Sequence, residues 1–231
     1  MNVIAIDGPA GSGKSSTAKA VAARLGFAHL DSGALYRAFT MAALEQDLPD
    51  DGIRIAGLAD ALPIRLDFAG DGFRPEVAGV DVSRPVRAPA VTARVSRVAA
   101  LPAVRDAVNQ LLRAAAALAP RGVVMDGRDI GTVVFPEAAL KVFLVASPEE
   151  RARRRLLQDG HEPSPEAVAR EAAALEARDA QDRERSAAPL KEAAGALRLD
   201  TTAMVFDRQV ETIVAQARKV FPSVDMEAGS R

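Results

Sequence analysis

Gly8-Pro9-Ala10-Gly11-Ser12-Gly13-Lys14-Ser15 decides how this chain is read. The stretch fits G-x-x-x-x-G-K-[ST], the phosphate-binding P-loop. Before it, the apolar run Val3-Ile4-Ala5-Ile6 reads as a buried strand. After it, Thr17 to Leu25 reads as a helix stopped by Gly26. Strand, loop and helix form the context that the motif needs. The glycines let backbone N–H groups turn toward a phosphate with no side chain in the way. The helix N-terminus adds a partial positive charge. Lys14 is placed to reach the β- and γ-phosphates, and the Ser15 hydroxyl to ligate Mg²⁺. ATP is therefore expected on Gly8, Pro9, Ala10, Gly11, Ser12, Gly13, Lys14, Ser15 and Ser16. An ordinary Gly-rich turn is the bland alternative, and eight matched positions argue against it.

The rest of the chain bounds what such a loop can serve. Its 231 residues suffice for one large α/β domain, and the 48% that are apolar supply a core. A net charge of −1 gives no global field for nucleic acid or an anionic membrane. The absence of cysteine excludes disulfides, thiolate chemistry and cysteine-ligated metals. No apolar run approaches the ~18 residues of a membrane span. The strand and P-loop at the N-terminus leave no room for a signal peptide. A cytoplasmic, monomeric enzyme with small-molecule partners is expected, with no nucleic acid and no membrane. Arginine supplies 25 of the 30 basic residues, so an arginine counts as a candidate only inside a motif.

Along the chain, Phe27 to Leu30 reads as a second strand feeding Asp31-Ser32-Gly33. Ala34 to Leu44 has helical spacing, and Ile53 to Leu62 reads as one more short helix closed by Pro63. The period then changes to 2. Ile64 to Phe68, Phe73 to Val77 and Val80 to Val82, separated by glycine turns, predict a three-strand antiparallel meander. Helical spacing returns over Val91 to Ala100 and Ala103 to Leu118. Val123 to Met125, Leu140 to Val145 and Ala196 to Leu199 are further strands. Glu149 to Gln158, Glu166 to about Arg185, and Phe206 to Val220 are helices, and Phe221 to Arg231 reads as a frayed tail.

Asp126 ends the apolar strand Val123-Val124-Met125 and can hold Mg²⁺. The alternative is a solvated carboxylate at a strand end. Gly127 and Arg128 follow, where hydrolases of the motor type often place a water-activating Glu. That favours transfer to a bound acceptor over hydrolysis. A guanine-reading N-K-x-D motif is absent, since neither Asn2 nor Asn109 is followed by Lys.

With these segments read, the chain resembles the bacterial cytidylate kinases of the nucleoside monophosphate kinase family. The similarity rests on Ile4 through Lys14, Leu30-Asp31-Ser32-Gly33-Ala34-Leu35-Tyr36-Arg37, and Asp126 through Pro136. It continues in Arg178-Asp179, Asp182-Arg183, Arg185 and Ala188-Pro189-Leu190. The P-loop is shared by many families; the second and third segments are far more specific. The resemblance implies a P-loop NTPase-type parallel five-stranded sheet flanked by helices, with a small antiparallel β insertion and a lid. It implies a core of about 1–30, 106–150 and 186–221, an acceptor region of about 31–105 and a lid of about 151–185.

The same resemblance implies ATP-dependent phosphorylation of CMP, and of dCMP, with Mg²⁺. Arg37 and Arg128 resemble the arginines that grip the CMP phosphate. Ser32, Arg105, Asp129 and Arg185 resemble the cytosine contacts, where a carboxylate suits the exocyclic amine. Ser96, Arg178 and Asp182 resemble the ribose contacts. Tyr36 lies beside these groups, either against the nucleotide or in the core. Lys14, Arg128, Arg155 and Arg178 are the catalytic candidates, and Ser15 and Asp126 the metal ligands. Arg151 and Arg154 join Arg155 as lid arginines within possible reach of the phosphoryl. The run from Arg178 to Arg185 departs from the family's denser Asp and Arg pattern at Ala180-Gln181 and Glu184. Two alternatives stand beside this reading: a uridylate or shikimate-type P-loop kinase, and a nucleotide-gated binding module without turnover.

Overall fold

The short apolar runs of the sequence become the strands of a buried parallel sheet. The computed structural model describes residues 1–222. The chain opens with β1 (Val3–Asp7), α1 (Lys14–Leu25), β2 (Ala28–Asp31) and α2 (Ser32–Glu45). Two short helices follow, α3 (Gly52–Ala56) and α4 (Leu58–Ala61), then β3 (Ile64–Phe68), β4 (Phe73–Val77) and β5 (Val80–Asp81). Next come α5 (Pro89–Val98), α6 (Pro102–Ala117), β6 (Val123–Gly127) and β7 (Leu140–Val145). The chain continues through α7 (Pro148–Gln158), α8 (Pro165–Glu184), β8 (Leu197–Asp200) and α9 (Phe206–Val220).

The main sheet has the order β2-β6-β1-β7-β8, and all its pairings are parallel. Every residue of β1 and β6 is buried. Helices cover both faces, which is why these strands read as continuous apolar runs. The pleat sends Val3 and Ala5 into one core with Leu35, Phe39 and Met125. It sends Ile4 and Ile6 into the other with Val21, Leu144 and Ile213. The central strand order reverses direction at β1, so loops at the carboxyl edge around β1 and β6 border a crevice, the usual ligand position in such sheets. Among the described residues no helix is long and apolar enough to cross a membrane.

The expected meander is a second sheet of order β3-β4-β5, antiparallel throughout. Its β3–β4 turn touches the edge of the main sheet, where the His29 backbone N–H donates to the Asp71 carbonyl at 3.2 Å. The expected helix from Ile53 to Leu62 is instead two helices, parted at Gly57. Gly57 itself keeps right-handed helical dihedrals, φ −62° and ψ −15°, and glycine weakens a helix at such a position. Phe221, expected in a frayed tail, is buried, with its ring 5.8 Å from that of Phe27. Residues 223–231 of that expected tail lie outside the described residues.

Asp7 ties the end of β1 to the loop after β6. Its Oδ1 accepts from the Ile130 N–H at 2.8 Å and its Oδ2 from the Gly131 N–H at 2.7 Å. These bonds pin a turn of π-helix, Ile130–Val134, directly after Asp129. Burial pushes the Asp7 carboxyl up to about 6, against the two N–H bonds that favour its charged form. Nearby Asp129 pushes the same way as burial, and Lys14 opposes it. A carboxyl raised in the fold contributes stability below its unfolded pKa and loses it as pH rises through the folded value.

Two outcomes are expected for Asp7→Asn. Its amide N–H would face a backbone N–H, costing roughly 1–3 kcal/mol. The stability gap to wild type should narrow as pH rises through about 6, since only the wild type carries the titrating group. Urea unfolding of both proteins at several pH values checks this; a gap that widens with pH would contradict it.

Candidate functional site

The P-loop leaves β1 at Gly8, where a side chain would collide with the Leu144 carbonyl oxygen on β7. The loop returns to helical geometry at Lys14, the first residue of α1. Lys14 is buried and its ammonium donates to the Pro9 carbonyl at 2.7 Å. Burial pushes its pKa down to about 7, and repulsion from Arg128 adds to that. Ser12 is buried within the loop, while Ser15 and Ser16 are exposed on the first turn of α1.

Asp126 lies beside the loop on β6, buried rather than solvated. Its Oδ2 accepts from the Ser15 hydroxyl at 2.5 Å. Its Oδ1 accepts from His29 Nε2 at 2.8 Å. Its backbone carbonyl accepts from the Ser32 hydroxyl at 2.7 Å. Gly127 makes this last approach feasible, because a Cβ there would lie 2.6 Å from Ser32 Oγ. Burial disfavours the His29 imidazolium, but the bond to Asp126 and its charge outweigh that and raise the pKa. Asp31, which caps α2 by accepting from the Gly33 N–H, has its carboxyl pushed up by burial and then by Asp126.

Arginines gather across the crevice from Lys14. Arg178 is mostly buried, and its pKa falls to about 10 through burial and then repulsion from Arg128, with Arg37 and Arg155 adding to it. Burial lowers Arg37 as well, with Asp31 opposing it and Arg87, Arg155 and Arg128 repelling it. Arg37 is held by the Thr92 hydroxyl at 2.9 Å and the Val86 carbonyl at 3.2 Å. Arg128 Nε donates to Asp182 Oδ2 at 2.9 Å. Arg178 Nε is buried and has no hydrogen-bond partner. Lys14, Arg128, Arg178, Arg37 and Arg155 thus form one cationic group spanning the donor loop and the candidate acceptor pocket.

The rest of the pocket is a buried polar network. Asp129 Oδ2 accepts from Arg105 Nη2, and Arg185 Nη2 lies 3.6 Å from Asp129 Oδ1. Arg185 Nη1 lies 3.7 Å from Asp182 Oδ1. The Arg105 guanidinium sits over the Tyr36 ring, 5.4 Å from its centroid. Tyr36 is both core residue and pocket wall: it packs in the core, yet its buried hydroxyl has no partner. Burial first, and Asp129 with it, push that phenol upward, so it stays a donor. Arg185 Nη2 is likewise buried and makes no hydrogen bond, only the longer approach to Asp129. Ser96 sits half-buried on α5, which packs against α8.

The lid arginines divide into different tasks. Arg151 is engaged with the P-loop backbone and with Asp179. Its Nη1 donates to the Ala10 carbonyl at 2.9 Å and to Asp179 Oδ2. Asp179 Oδ1 accepts from the Ala10 N–H at 2.9 Å, so both sides of that loop residue are held. Arg154 donates to the Thr201 hydroxyl at 3.0 Å and to its carbonyl at 2.6 Å. Arg155 remains on the surface, paired with Asp159 at 2.9 Å and within repulsive reach of Arg37 and Arg178.

Reading the sequence did not single out Asp7, His29 or the Arg151–Asp179 pair. His29 had a usable signal. It stands two residues before Asp31, so the pleat places both side chains on one face of β2. Asp31 is in register with Asp126. The other contacts join residues far apart in the chain and leave no local pattern.

Comparison with known proteins fits this arrangement. The sequence profile described as cytidylate kinase matches residues 4–219. The cytidylate kinase of Chlorobaculum tepidum is 43% identical over 94% of this chain and 93% of that protein. The cytidylate kinase of Streptococcus pneumoniae is 45% identical over 94% of this chain and 97% of that protein. A crystal structure of an uncharacterized protein from Eubacterium ventriosum shares the fold, with TM-score 0.51, 12% identity, and coverage of 94% of this chain and 98% of that one. The chain belongs to the cytidylate kinase family.

Proposed function

We propose that this chain transfers the γ-phosphoryl of ATP to CMP, and to dCMP, giving ADP and CDP or dCDP. One observation carries the reading. The P-loop Lys14 and the acceptor-side Arg128 are close enough to repel, and Arg178, Arg37 and Arg155 extend the same charge. A site that holds so many cations beside one another suits two phosphorylated ligands meeting end to end.

In this reading the P-loop residues from Gly8 to Ser16 hold the ATP phosphates, and Lys14 reaches the transferring group. Arg37 and Arg128 grip the CMP phosphate, whose oxyanion is already a nucleophile and needs no strong base. Arg178 and Arg155 neutralise charge that develops on the phosphoryl group. Ser96, Arg178 and Asp182 serve the ribose. Core (about 1–30, 106–150 and 186–221), acceptor region (about 31–105) and lid (about 151–185) are the three working parts. We read the active unit as a single chain working in the cytoplasm, since Lys14 of the P-loop already interacts with Arg128, and Arg128 with Arg178, within that chain.

Ser15 and Asp126 fit Mg²⁺. A hydroxyl and a carboxylate touching beside the P-loop are the hard oxygen donors this ion prefers. When bound it would neutralise charge on the β- and γ-phosphates.

Base choice follows from donor and acceptor directions. The Ser32 hydroxyl spends its hydrogen on the Asp126 carbonyl, leaving only lone pairs for a ligand. The Asp129 carboxylate also only accepts. Together they suit the cytosine amine and leave a uracil carbonyl unpaired. The Tyr36 hydroxyl and Arg185 Nη2, neither of them spent on a hydrogen bond, supply donors for the ring carbonyl and N3.

A coupled assay of ADP release with CMP, dCMP, UMP and AMP tests the whole reading; preference for UMP or AMP would replace it. Lys14→Ala should lower kcat by about 10²–10³-fold while circular dichroism stays native. Arg128→Ala should weaken CMP by roughly 1.5–3 kcal/mol with ATP affinity little changed, checked by titration of each nucleotide. Asp129→Ala should shrink the ratio of kcat/KM for CMP over UMP, which such a site can hold near ~10⁴. Equal loss for both substrates would make Asp129 structural instead.

A further inference from the structure

His29 stands outside every role described so far, yet it makes a directed contact in the site. Its Nε2 is 2.8 Å from Asp126 Oδ1. An ionised carboxylate only accepts, so Nε2 carries the hydrogen and donates it. The other carboxylate oxygen, Oδ2, is taken by the Ser15 hydroxyl at 2.5 Å. Each oxygen of Asp126 therefore has its own donor, one from the P-loop helix and one from the edge strand.

The backbone that carries the imidazole is itself held. His29 is in register with Val124 on β6. On its other side, its backbone N–H donates to the Asp71 carbonyl at 3.2 Å, and Gly72 bridges to it. The side chain is 19% exposed, so its bond competes little with water. Rotation about the last torsion of an aspartate is broad and roughly two-fold. A bond to one oxygen alone leaves the second free to turn. Two donors from different elements fix the plane of the carboxylate.

We propose that His29 is a positioning residue for Asp126, fixing that carboxylate's plane for the Mg²⁺ that accompanies ATP. The inference rests on reading Ser15 and Asp126 as the metal ligands. Groups that orient a metal-binding carboxylate from outside its coordination shell act in this way, and their loss typically costs 10–100-fold in metal affinity.

The experiment uses the full-length enzyme with ATP and Mn²⁺, read by electron paramagnetic resonance, with thermal unfolding as the control for folding. His29→Leu removes the donor. His29→Gln keeps an N–H at similar reach. Asp126→Asn alters the ligand itself. His29→Leu should weaken Mn²⁺ in the ternary complex by about 10-fold or more, with His29→Gln recovering most of it. Weakening by Asp126→Asn alone would overturn the role of His29 and leave the metal reading standing. Weakening by neither Asp126→Asn nor His29→Leu would overturn both.

A second measurement on wild type guards against a variant that fails to fold. The chain has two histidines, His29 and His161, and His161 is exposed on the loop after α7. In a long-range ¹⁵N–¹H imidazole spectrum, the His29 Nε2 signal should move with Mg²⁺ and ATP but not with ATP and EDTA. His161 should stay still in both. A His29 signal indifferent to the metal would overturn the proposal.

Discussion

Like charges repel, and this fold holds five cations around one crevice. Lys14 and Arg178 show the strain most plainly, with pKa values pushed down to about 7 and about 10. Burial is the larger cause in each; Arg128 adds to it in both, while Asp126, Asp179 and Asp7 oppose it at Lys14 and Asp182 opposes it at Arg178. An isolated loop would splay such side chains into water. Here the loops leave the carboxyl edge of a sheet whose two central strands are buried along their whole length. The packed cores on both faces supply the stability against which the site is assembled. A phosphate that enters this crevice relieves repulsion as well as making bonds. Much of the electrostatic work of binding is therefore already present before the ligand arrives.

Carboxylates orient several of the arginines in and around the crevice. Asp182 orients Arg128 and approaches Arg185. Asp129 does the same for Arg105 and Arg185. Asp179 holds Arg151, and Asp7 fixes the turn that follows Asp129. Each is buried, so its bonds suffer little competition from water. Asp126 stands at the junction. Its side chain meets Ser15 on the donor side, and its backbone meets Ser32 on the acceptor side. A displacement of β6 would disturb both half-sites together.

Local chemistry made much of this legible in the sequence. The parallel strands, the P-loop and the three-strand insertion follow from apolar runs, glycine spacing and a change of period. The five-stranded sheet and the antiparallel insertion stand as expected. The division of α3 from α4 did not show, because the apolar spacing runs on through Gly57 while the backbone turns there. Arginine roles were the hardest to read. Arg151, Arg154 and Arg155 share one helix and similar neighbours, yet they bind the P-loop, the Thr201 turn and Asp159 respectively. Helical position tells which face a residue shares, but not what the remote chain brings to that face. Ala10 is 141 residues from Arg151, and no local pattern spans that distance.

The contacts of Arg151 also limit how α7 can move against the P-loop. It is buried with Asp179, and together they hold the backbone of Ala10 from two sides. Breaking a buried ion pair by withdrawing one partner costs about 3–5 kcal/mol. Arg154 adds two bonds to Thr201 from the next turn of α7. The base of α7 and the C-terminal part of α8 are therefore bound to the P-loop. Arg155 lacks such an anchor: its partner Asp159 caps the same helix, and both are substantially exposed. An exposed pair of this kind is worth at most about 1 kcal/mol. A phosphate can outbid it, whereas it cannot readily outbid the buried pair. Of Arg151, Arg154 and Arg155, Arg155 is the one held by an exposed pair alone.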